Sequence, residues 1–423
     1  MADKEDVHVQ AKIYTKLKKY QIQDTLLSIP SISGTLELNA LVKGLLLSED
    51  SGILEFDFLI NGEYFEADSL ASYINEKSIS TESVIEIEYI LKQKEPKLER
   101  SLLHNDWVSS IDVENDLIIT GTYDSLVNIW SKKNGKLLCA AESHSMAVKH
   151  VLWNKHENNE ISFLSASQDQ SVLIWMYKRP ESKCFSIHSC RGHAGSVDCL
   201  ALHPRTHKFA SGSWDKMIKI WDSKIDLHAT NEDIDDSTKK SKKNSMNNAP
   251  TIRTPLITLS GHKEPVSSLL WIDDKLVSAG WDHCIRFWDC ETATNTFTFT
   301  GNKVYLSISY SASSHLLASG STDKYVRLWD PRVSDGTVVK SMLSSHNGWI
   351  SSVEWSPSNE YHLVSGSYDN SVKLWDIRST KKSITNVESH QDKVMCVRWV
   401  ENDLVLSGGA DSQVHITKLD LNE

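Results

Sequence analysis

A short pattern that recurs seven times constrains the fold of this 423-residue chain more than any other feature. Each copy holds an Asp six residues before its last position and a Ser or Thr four residues before that Asp. The aspartates are Asp124, Asp169, Asp215, Asp282, Asp323, Asp369 and Asp411. The copies end at Trp130, Trp175, Trp221, Trp288, Trp329, Trp375 and Thr417. Because a period of roughly 40 residues is typical of propeller blades, we predict one blade per copy.

Two further polar positions suggest why Asp and Trp recur together. The hydroxyls belong to Thr120, Ser165, Ser211, Ser278, Ser319, Ser365 and Ser407. Upstream of six aspartates lies a histidine, and the fifth copy has Asn302 instead; the histidines are His104, His144, His193, His262, His346 and His390. We predict that Asp binds His, that His binds the hydroxyl, and that the hydroxyl accepts a hydrogen bond from the indole N–H. This structural tetrad would tie a loop, a turn and a central strand together.

The same residue types also occur in hydrolase triads, which are sites for nucleophilic catalysis. An enzyme needs one such site, whereas this trio of Ser, His and Asp recurs from copy to copy. The chain also has no HExxH, P-loop or GxSxG motif. We therefore expect a protein that is not an enzyme and that requires no cofactor.

Irregular spacing locates an insertion and a ring closure. Among the tryptophans that end the copies, Trp221 and Trp288 are the consecutive pair farthest apart. The polar segment 223–253 between them is predicted to be a disordered insertion. Its KKSKK run resembles a nuclear localisation signal, although a lysine run can also merely increase solubility. The last copy stops near Thr417, so residues around 98–103 are expected to supply its fourth strand and close the ring.

The N-terminal residues 7–91 lack the repeat and predict a small α+β domain. Alternating apolar residues indicate strands at both ends of the segment, and residues 35–48 carry apolar residues at helical spacing. Asn61-Gly62 between two apolar runs is a strong hairpin signal. The order β-β-α-β-β-α-β resembles ubiquitin. We therefore predict a mainly β chain with a ubiquitin-like domain (1–92), a linker that begins the closing strand (93–100) and a seven-bladed WD-repeat β-propeller (101–420).

Overall charge limits the classes of partner. The formal net charge is -11, so binding of nucleic acid through the overall field is not expected, although direct RNA contact at a local patch stays open. No apolar stretch is long enough for a membrane span, and no membrane partner is expected. Seven scattered Cys without a CxxC pair suggest reduced thiols inside a cell.

The repeat resembles the WD-repeat family, with Trp-Asp at 221, 288, 329 and 375 and Gly-His at 192 and 261. Nearly the whole chain resembles the eukaryotic WD-repeat ribosome-biogenesis factors that act with pescadillo and the block-of-proliferation protein. The segments that carry this resemblance include FDFLINGEYF, STESVIEIEY, RGHAGSVDCL, RTPLITLSGH and LSGGADSQVHI. The resemblance implies a nuclear, nucleolar and nucleoplasmic scaffold for maturation of the large (60S) ribosomal subunit and for pre-rRNA processing.

The same resemblance implies a role for one acid. In that family the giant ATPase midasin recognises the ubiquitin-like domain and releases the factor from the pre-60S particle. The family's metal-contacting acid corresponds to Glu82, which would ligate in trans a cation that midasin holds. A carboxylate is a suitable ligand for such a hard cation. Without the resemblance, Glu82 would be read as an ordinary solvated loop acid.

Four copies have a large aromatic residue just before the turn Asp, namely Tyr123, Trp214, Trp281 and Tyr368. Their position places them at a propeller face, where aromatic residues commonly anchor partners; packing against neighbouring loops is the alternative. Two rival functions stay open. The WDxR motifs that end at Arg332 and Arg378 resemble those of cullin ubiquitin ligase substrate receptors, and notchless-type assembly factors pair a similar N-terminal domain with a propeller that has an extra blade.

Overall fold

The computed structural model describes residues 8–22, 26–46, 54–80, 83–157, 160–225, 250–333, 339–380, 382–388, 390–401, 403–419 and 421. They belong to two compact units. The smaller unit contains the N-terminal residues up to Pro96, together with residues 377–379 and 419–423. The larger unit contains residues 97–376 and 380–418. Among the described residues, no helix is both long and apolar enough to cross a membrane.

The smaller unit is one mixed sheet with two helices. Its strands are β1 (His8–Tyr14), β2 (Leu26–Pro30), β3 (Phe56–Ile60), β4 (Glu63–Tyr64) and β5 (Ile85–Leu91), in the sheet order β2-β1-β5-β3-β4. Strands β1 and β5 run parallel, and the other neighbours are antiparallel. The helices are α1 (Thr35–Leu45) and α2 (Leu70–Lys77), and Lys18–Tyr20 is a 3₁₀ turn. This is the element order predicted for a ubiquitin-like domain.

Apolar alternation produces the core of this unit. Leu38 and Val42 of α1 are fully buried against Ile85, Ile87 and Tyr89 of β5 and the rest of the sheet. Predicted and observed bounds differ for the helix, which ends at Leu45 rather than at residue 48, and Leu45 itself is 38% exposed. The turn between β3 and β4 needs left-handed backbone, and Asn61 and Gly62 supply it with φ of 53° and 79°.

The described residues of the larger unit form seven sheets, which we number ring sheets 1 to 7 in chain order. Sheet 1 contains β7 (Val108–Glu114), β8 (Leu117–Thr122), β9 (Leu126–Ser131) and β10 (Leu137–Glu142). Sheet 2 contains β11 (Val148–Glu157), β12 (Glu160–Ser167), β13 (Ser171–Lys178), β14 (Lys183–Arg191) and β18 (Thr251–Arg253), with a 3₁₀ turn at Arg179–Glu181. Sheet 3 contains β15 (Val197–Leu202), β16 (Lys208–Ser213), β17 (Ile218–Asp222) and β19 (Ile257–Leu259).

The remaining sheets repeat the antiparallel design. Sheet 4 contains β20 (Val266–Ile272), β21 (Lys275–Gly280), β22 (Cys284–Asp289) and β23 (Thr294–Thr300). Sheet 5 contains β24 (Tyr305–Ser311), β25 (Leu316–Ser321), β26 (Tyr325–Trp329) and β27 (Ser341–Ser344). Sheet 6 contains β28 (Ile350–Trp355), β29 (His362–Ser367), β30 (Ser371–Asp376) and β31 (Thr385–Glu388). Sheet 7 contains β32 (Val394–Val400), β33 (Leu404–Gly409), β34 (Gln413–Lys418) and β6 (Lys97–Leu103).

The first strands of the seven sheets form a closed ring. Each contacts the first strand of the next sheet, and β32 of sheet 7 returns to β7 of sheet 1. Strand β6 precedes all the others in sequence and pairs antiparallel with β34, so it fills the place that the sequence analysis gave to residues around 98–103. The mainly β fold with WD-type repeats is therefore confirmed, and the arrangement is that of a β-propeller.

Tryptophans that end the repeats form the contacts between neighbouring sheets. Trp221 of sheet 3 is fully buried and lies in one hydrophobic cluster with Leu164, Ala166 and Ile174 of sheet 2. Trp288 of sheet 4 lies in a cluster with Ile218 and other residues of sheet 3. Burial of a large aromatic side chain is a major source of stability. Because six of the seven copies end in such a tryptophan, the chain is rich in Trp.

The insertion requires a correction. Residues 226–249 lie outside the described residues, but the predicted disorder of 223–253 is wrong at both ends. Ser223 is buried, and Thr251–Arg253 form β18, which pairs in parallel with His188–Cys190 of sheet 2. The physical reason is an ordered anchor: the Arg253 guanidinium donates to the carbonyl of Asp222 at 2.6 Å and lies 3.0 Å from His188 Nε2.

Candidate interaction site

The four aromatic residues before the turn aspartates meet at one cavity. Tyr123, Trp214, Trp281 and Tyr368, which we call the aromatic rim, belong to ring sheets 1, 3, 4 and 6. All four line a single cavity of about 680 Å³, whose wall is otherwise made of the first strands of the ring. The strand-turn-strand repeat places each rim residue at the same end of its sheet. Residues far apart in sequence therefore contribute to one surface.

Trp214 and Trp281 form the most exposed part of the rim. Their ring centroids are 5.7 Å apart at an interplanar angle of 50°, and the side chains are 49% and 37% exposed. The Trp214 indole N–H donates to Asp198 Oδ2 at 2.6 Å. Asp198 also accepts a hydrogen bond from Ser196 Oγ at 2.5 Å. The indole is thus fixed in orientation while half of it faces solvent, which suits an anchor for a partner.

Tyr123 carries a basic neighbour. Lys149 Nζ donates to the Tyr123 hydroxyl at 2.6 Å and lies 4.6 Å from the centre of its ring. Burial lowers the pKa of Lys149, but the negative charge of Asp198, together with the Tyr123 and Tyr368 hydroxyls, outweighs this and raises the pKa above its usual value. Lys149 therefore carries a positive charge beside the Tyr123 ring, and Trp107 packs on the same ring with the ring centroids 5.4 Å apart.

Tyr368 has a similar environment on sheet 6. Trp349 stacks on it with ring centroids 5.8 Å apart and an interplanar angle of 22°. Lys393 Nζ lies 5.4 Å from the centre of the Tyr368 ring. Sheets 1 and 6 therefore each contribute a Tyr–Trp pair with a lysine near the tyrosine ring. This surface combines apolar side chains with lysine ammonium groups, and its aromatic side chains have few rotatable bonds.

The same cavity also holds a charge cluster, in which Asp112 is buried and Arg398 and Glu354 are partly exposed. The Arg398 guanidinium binds Asp112 Oδ1 at 3.1 Å and Glu354 Oε1 at 2.9 Å. Burial raises the pKa of Glu354, and the two carboxylates raise that of Arg398. His150, beside them, has its pKa lowered to about 4 by burial and by Arg398. The cluster ties sheets 1, 6 and 7 together, and we assign it to the rigidity of the cavity.

The predicted tetrads occur in ring sheets 2, 3, 4 and 6. In sheet 3, His193 Nδ1 donates to Asp215 Oδ2 at 2.8 Å, and Ser211 Oγ lies 2.8 Å from His193 Nε2. The Trp221 indole donates to the same Ser211 hydroxyl at 2.7 Å. The corresponding bonds join the residues His144, Asp169, Ser165 and Trp175, then His262, Asp282, Ser278 and Trp288, then His346, Asp369, Ser365 and Trp375. The same group of side chains thus recurs in four sheets of the described chain.

Sheet 1 departs from the prediction. His104 Nε2 lies 2.9 Å from Thr120 Oγ1, but its Nδ1 faces the carbonyl of Leu102 at 3.2 Å rather than Asp124. Asp124 instead accepts hydrogen bonds from Thr122 Oγ1 and from the Leu126 backbone at 3.3 Å. The Asp124–His104 bond inferred from the repeat is therefore wrong, because a backbone carbonyl has taken its place.

Sheets 5 and 7 depart in other ways. In sheet 5, Asp323 pairs with Arg327 of its own sheet, whose guanidinium lies 2.6 Å from Asp323 Oδ2, rather than with the loop that holds Asn302. In sheet 7, His390 binds Ser407 and both oxygens of Asp411, and the residue at the tryptophan position is Thr417. The backbone repeat thus tolerates different partners for the turn Asp.

Hydrogen bonding changes the acidity of the turn aspartates. Burial raises the pKa of Asp215, but hydrogen bonds from His193 and from the backbone N–H of Ala194 outweigh this and lower it to about 2. Asp169 and Asp282 are lowered to about 2 in the same way, and Asp369 is lowered further. These carboxylates are therefore ionised at neutral pH and fixed as acceptors.

Three other predicted sites have different outcomes. Glu82 lies outside the described residues, as does the KKSKK run. Arg332 of the first WDxR motif is bound by its own motif, since Nε and Nη2 donate to Asp330 at 2.8 and 2.7 Å. In this position Arg332 caps its own turn.

The aromatic rim is contacted by four side chains that were not predicted from the sequence, namely Trp107, Trp349, Lys149 and Asp198. A positional signal existed for the tryptophans, because Trp107 follows His104 by three residues and Trp349 follows His346 by the same number. Lys149 and Asp198 lie at the start of first strands and carry no comparable signal.

Comparison with protein families assigns both units. The WD domain (G-beta repeat) profile matches residues 96–131, 184–222, 253–289, 293–330, 336–376 and 381–417. The NLE (NUC135) domain profile matches residues 9–74. The WD profile marks six segments, whereas the structure has seven ring sheets; sheet 2, with most of its strands outside the matched segments, nevertheless carries a complete tetrad.

Full-length relatives share both units. A ribosome biogenesis protein WDR12 homologue from Nematostella vectensis is 45% identical over 419 residues, covering 98% of this chain and 99% of the relative. WDR12 homologues from Culex quinquefasciatus and Ixodes scapularis are 39% and 36% identical, covering 98% and 97% of this chain and 96% and 99% of the relatives. Since these matches include the NLE domain and the whole ring, the chain belongs to the WDR12 family of ribosome biogenesis proteins.

Proposed function

We propose that this chain is a non-enzymatic assembly factor for the large (60S) ribosomal subunit, and that its ring is a platform for protein partners. The relatives named as ribosome biogenesis proteins support the process. The aromatic rim supports the platform, because four aromatic side chains from four sheets converge on one cavity. The partners we propose are homologues of pescadillo and the block-of-proliferation protein, within the pre-60S particle that matures 25S/28S and 5.8S rRNA.

The rim gives a direct test of the platform. Replacing both Trp214 and Trp281 by Ala removes the two most exposed rim side chains without touching a tetrad. Two anchors that each contribute about 2 kcal/mol would weaken binding by roughly 1,000-fold. We expect the tagged double variant to lose pescadillo and block-of-proliferation homologues in affinity purification, and Met342→Ala, which alters an equally exposed apolar residue of sheet 5, to retain them. Unchanged recovery by the double variant would move the partner surface elsewhere.

We further propose that midasin removes the factor from the pre-60S particle by holding a divalent cation that Glu82 ligates. A carboxylate can complete the coordination of a hard cation, whereas an amide of the same shape lacks its charge. Full-length Glu82→Gln should therefore lose magnesium-dependent binding to the midasin adhesion domain, and Glu86→Gln, which alters an exposed acid on β5, should bind like the natural chain. Binding that resists EDTA, or that is equal in the two variants, contradicts the proposal.

The KKSKK run is proposed to direct the chain to the nucleus, from which it reaches the nucleolus and nucleoplasm. Removing residues 226–249 spares Ser223 and the ordered anchor at Thr251–Arg253. Nuclear accumulation of a fluorescent fusion should then decrease. Replacing only the four lysines by Gln should have the same effect, whereas normal accumulation of both variants would exclude this signal.

A further inference from the structure

Ring sheet 7 contains a group of side chains that the tetrad does not explain. Among the described residues, His390, Asp411 and His415 can each bring one potential metal ligand atom within 4.8 Å of the others. His390 and His415 are both more than nine-tenths buried, and their ring centroids are 4.3 Å apart. In sheet 6 the ring packed near the corresponding histidine, His346, is the Trp375 indole. A second imidazole thus contacts the tetrad histidine in the sheet that lacks the tryptophan.

One nitrogen of this group is unsatisfied. His415 Nδ1 lies 3.4 Å from Ser101 Oγ of strand β6, while Nε2 is buried and finds no hydrogen-bond partner among the described residues. A buried polar atom without a partner is destabilising by about 1 to 3 kcal/mol, so such atoms usually indicate an unrecorded ligand or water. In the same strand, Thr417 Oγ1 is also buried without a partner in the described part of the chain.

The position of His415 carries a cationic side chain in two other sheets. The residue four positions after the turn Asp is Arg286 in sheet 4 and Arg327 in sheet 5, and each guanidinium pairs with its turn Asp at 3.4 and 2.6 Å. His415 occupies this register position in sheet 7. His415 therefore offers an imidazole where sheets 4 and 5 have a guanidinium.

We propose that His390, Asp411 and His415 bind a divalent transition-metal ion of the zinc class. Two imidazoles and one carboxylate are a common ligand set for Zn²⁺, with bond lengths of about 2.0 to 2.2 Å and a fourth position for water. The ion would replace the proton between His390 Nδ1 and Asp411, whose oxygens lie 3.0 and 3.1 Å away. It would also give the unpartnered His415 nitrogen a ligand bond and supply the positive charge that Arg327 supplies in sheet 5.

The location gives the ion a structural effect. His415 pairs in register with Ser101, so the ligands lie at the pairing of β34 with the closing strand β6. An ion that binds only the folded sheet stabilises it by mass action. We therefore expect metal to raise the melting temperature of the full-length protein and to do so through this sheet.

Cobalt and zinc titration of the full-length protein, after removal of metal by a chelator, tests the proposal. We expect one tight equivalent, a cobalt d–d spectrum of nitrogen and oxygen ligands without a thiolate charge-transfer band, and a higher melting temperature with zinc. His415→Gln should lose all three, and His283→Gln, which alters an exposed histidine of sheet 4, should lose none.

The variant His415→Arg is the control for loss of folding, because Arg327 shows that the corresponding position in sheet 5 accepts a guanidinium. It should fold, resist melting without metal and fail to bind cobalt. An unchanged equivalent in either His415 variant, a thiolate band in the natural chain, or no tight equivalent at all would overturn the proposed site.

Discussion

Ring sheets 3 and 5 have the same number of strands and the same buried Ser–Trp hydrogen bond, but a different side chain binds the turn Asp in each. In sheet 3 the partner of Asp215 is His193, which arrives from the preceding loop at 2.8 Å. In sheet 5 the partner of Asp323 is Arg327, which arrives from the third strand of the same sheet. The Trp221 and Trp329 indoles still donate to Ser211 and Ser319 at 2.7 and 2.8 Å.

The comparison separates two functions of the tetrad. The hydroxyl–indole bond fixes the interior of the sheet, and it persists when the histidine is absent. The Asp partner fixes the outer turn, and either a loop imidazole or a strand guanidinium can supply it. The two differ in one chemical respect: an imidazole can be neutral at pH 7, whereas a guanidinium stays charged.

That difference makes Asp323→Ala the most destabilising change that we predict. Arg327 has a side chain only 10% exposed, and without Asp323 it would remain charged and unpaired in the sheet. Removal of one partner of a buried ion pair typically costs about 3 to 5 kcal/mol. Urea unfolding followed by tryptophan fluorescence should show this loss in the free energy of unfolding.

A double variant distinguishes the buried charge from the turn itself. Asp323→Ala with Arg327→Met removes both charges, so much of the lost stability should return. If the double variant is as unstable as the single one, the hydrogen bonds of Asp323 to the turn, rather than the guanidinium, account for the loss.

Asp215→Ala in sheet 3 should have a smaller effect. Its removal leaves His193 Nδ1 and the backbone N–H groups of Ala194 and Met217 without their acceptor. Because an imidazole can lose its charge and a guanidinium cannot, we expect a smaller loss of about 1 to 3 kcal/mol in the free energy of unfolding. The same urea experiment should rank this variant above Asp323→Ala in stability, and the reverse order would contradict the distinction between the two sheets.

The smallest predicted effect concerns acid. The pKa of Asp215 is about 2 in the folded chain against an ordinary value of 3.8, so the unfolded chain binds more protons between these values. Its contribution to stability is therefore complete above about pH 4 and is lost as the pH falls through about 2. The stability difference between the natural chain and Asp215→Asn should narrow over this range. A constant difference would show that Asp215 does not titrate there.

The repeat allowed much of this structure to be predicted. Hydroxyl, Asp and Trp at fixed spacing identified the sheets, because each residue has one geometric place in a strand-turn-strand unit. The same spacing identified the aromatic rim, since the residue before the turn Asp keeps one position from sheet to sheet. Asn61-Gly62 predicted its hairpin because the backbone there requires positive φ.

Other features depend on three-dimensional contacts that a repeat pattern does not encode. Arg327 stands at a position that holds Lys, Arg, Asn, Leu or His in the other sheets, so only the fold shows that it replaces the histidine. Residues 251–253 follow a polar insertion, and the edge of sheet 2 that they join is distant in sequence. The sequence around Lys149 does not show that its amino group binds the Tyr123 hydroxyl in the folded chain.

The closing strand β6 sets an order on the synthesis of the ring. Ser101 and His415 face each other in the finished sheet, yet they are separated by 314 positions in sequence. A ribosome completes β6 first among the strands of this unit and its partner β34 last, so sheet 7 cannot be assembled until translation has almost finished. Throughout that interval β6 lacks its partner strand, and its open edge can be joined by other chains. Prompt completion of translation therefore shortens the time for which this edge stays open.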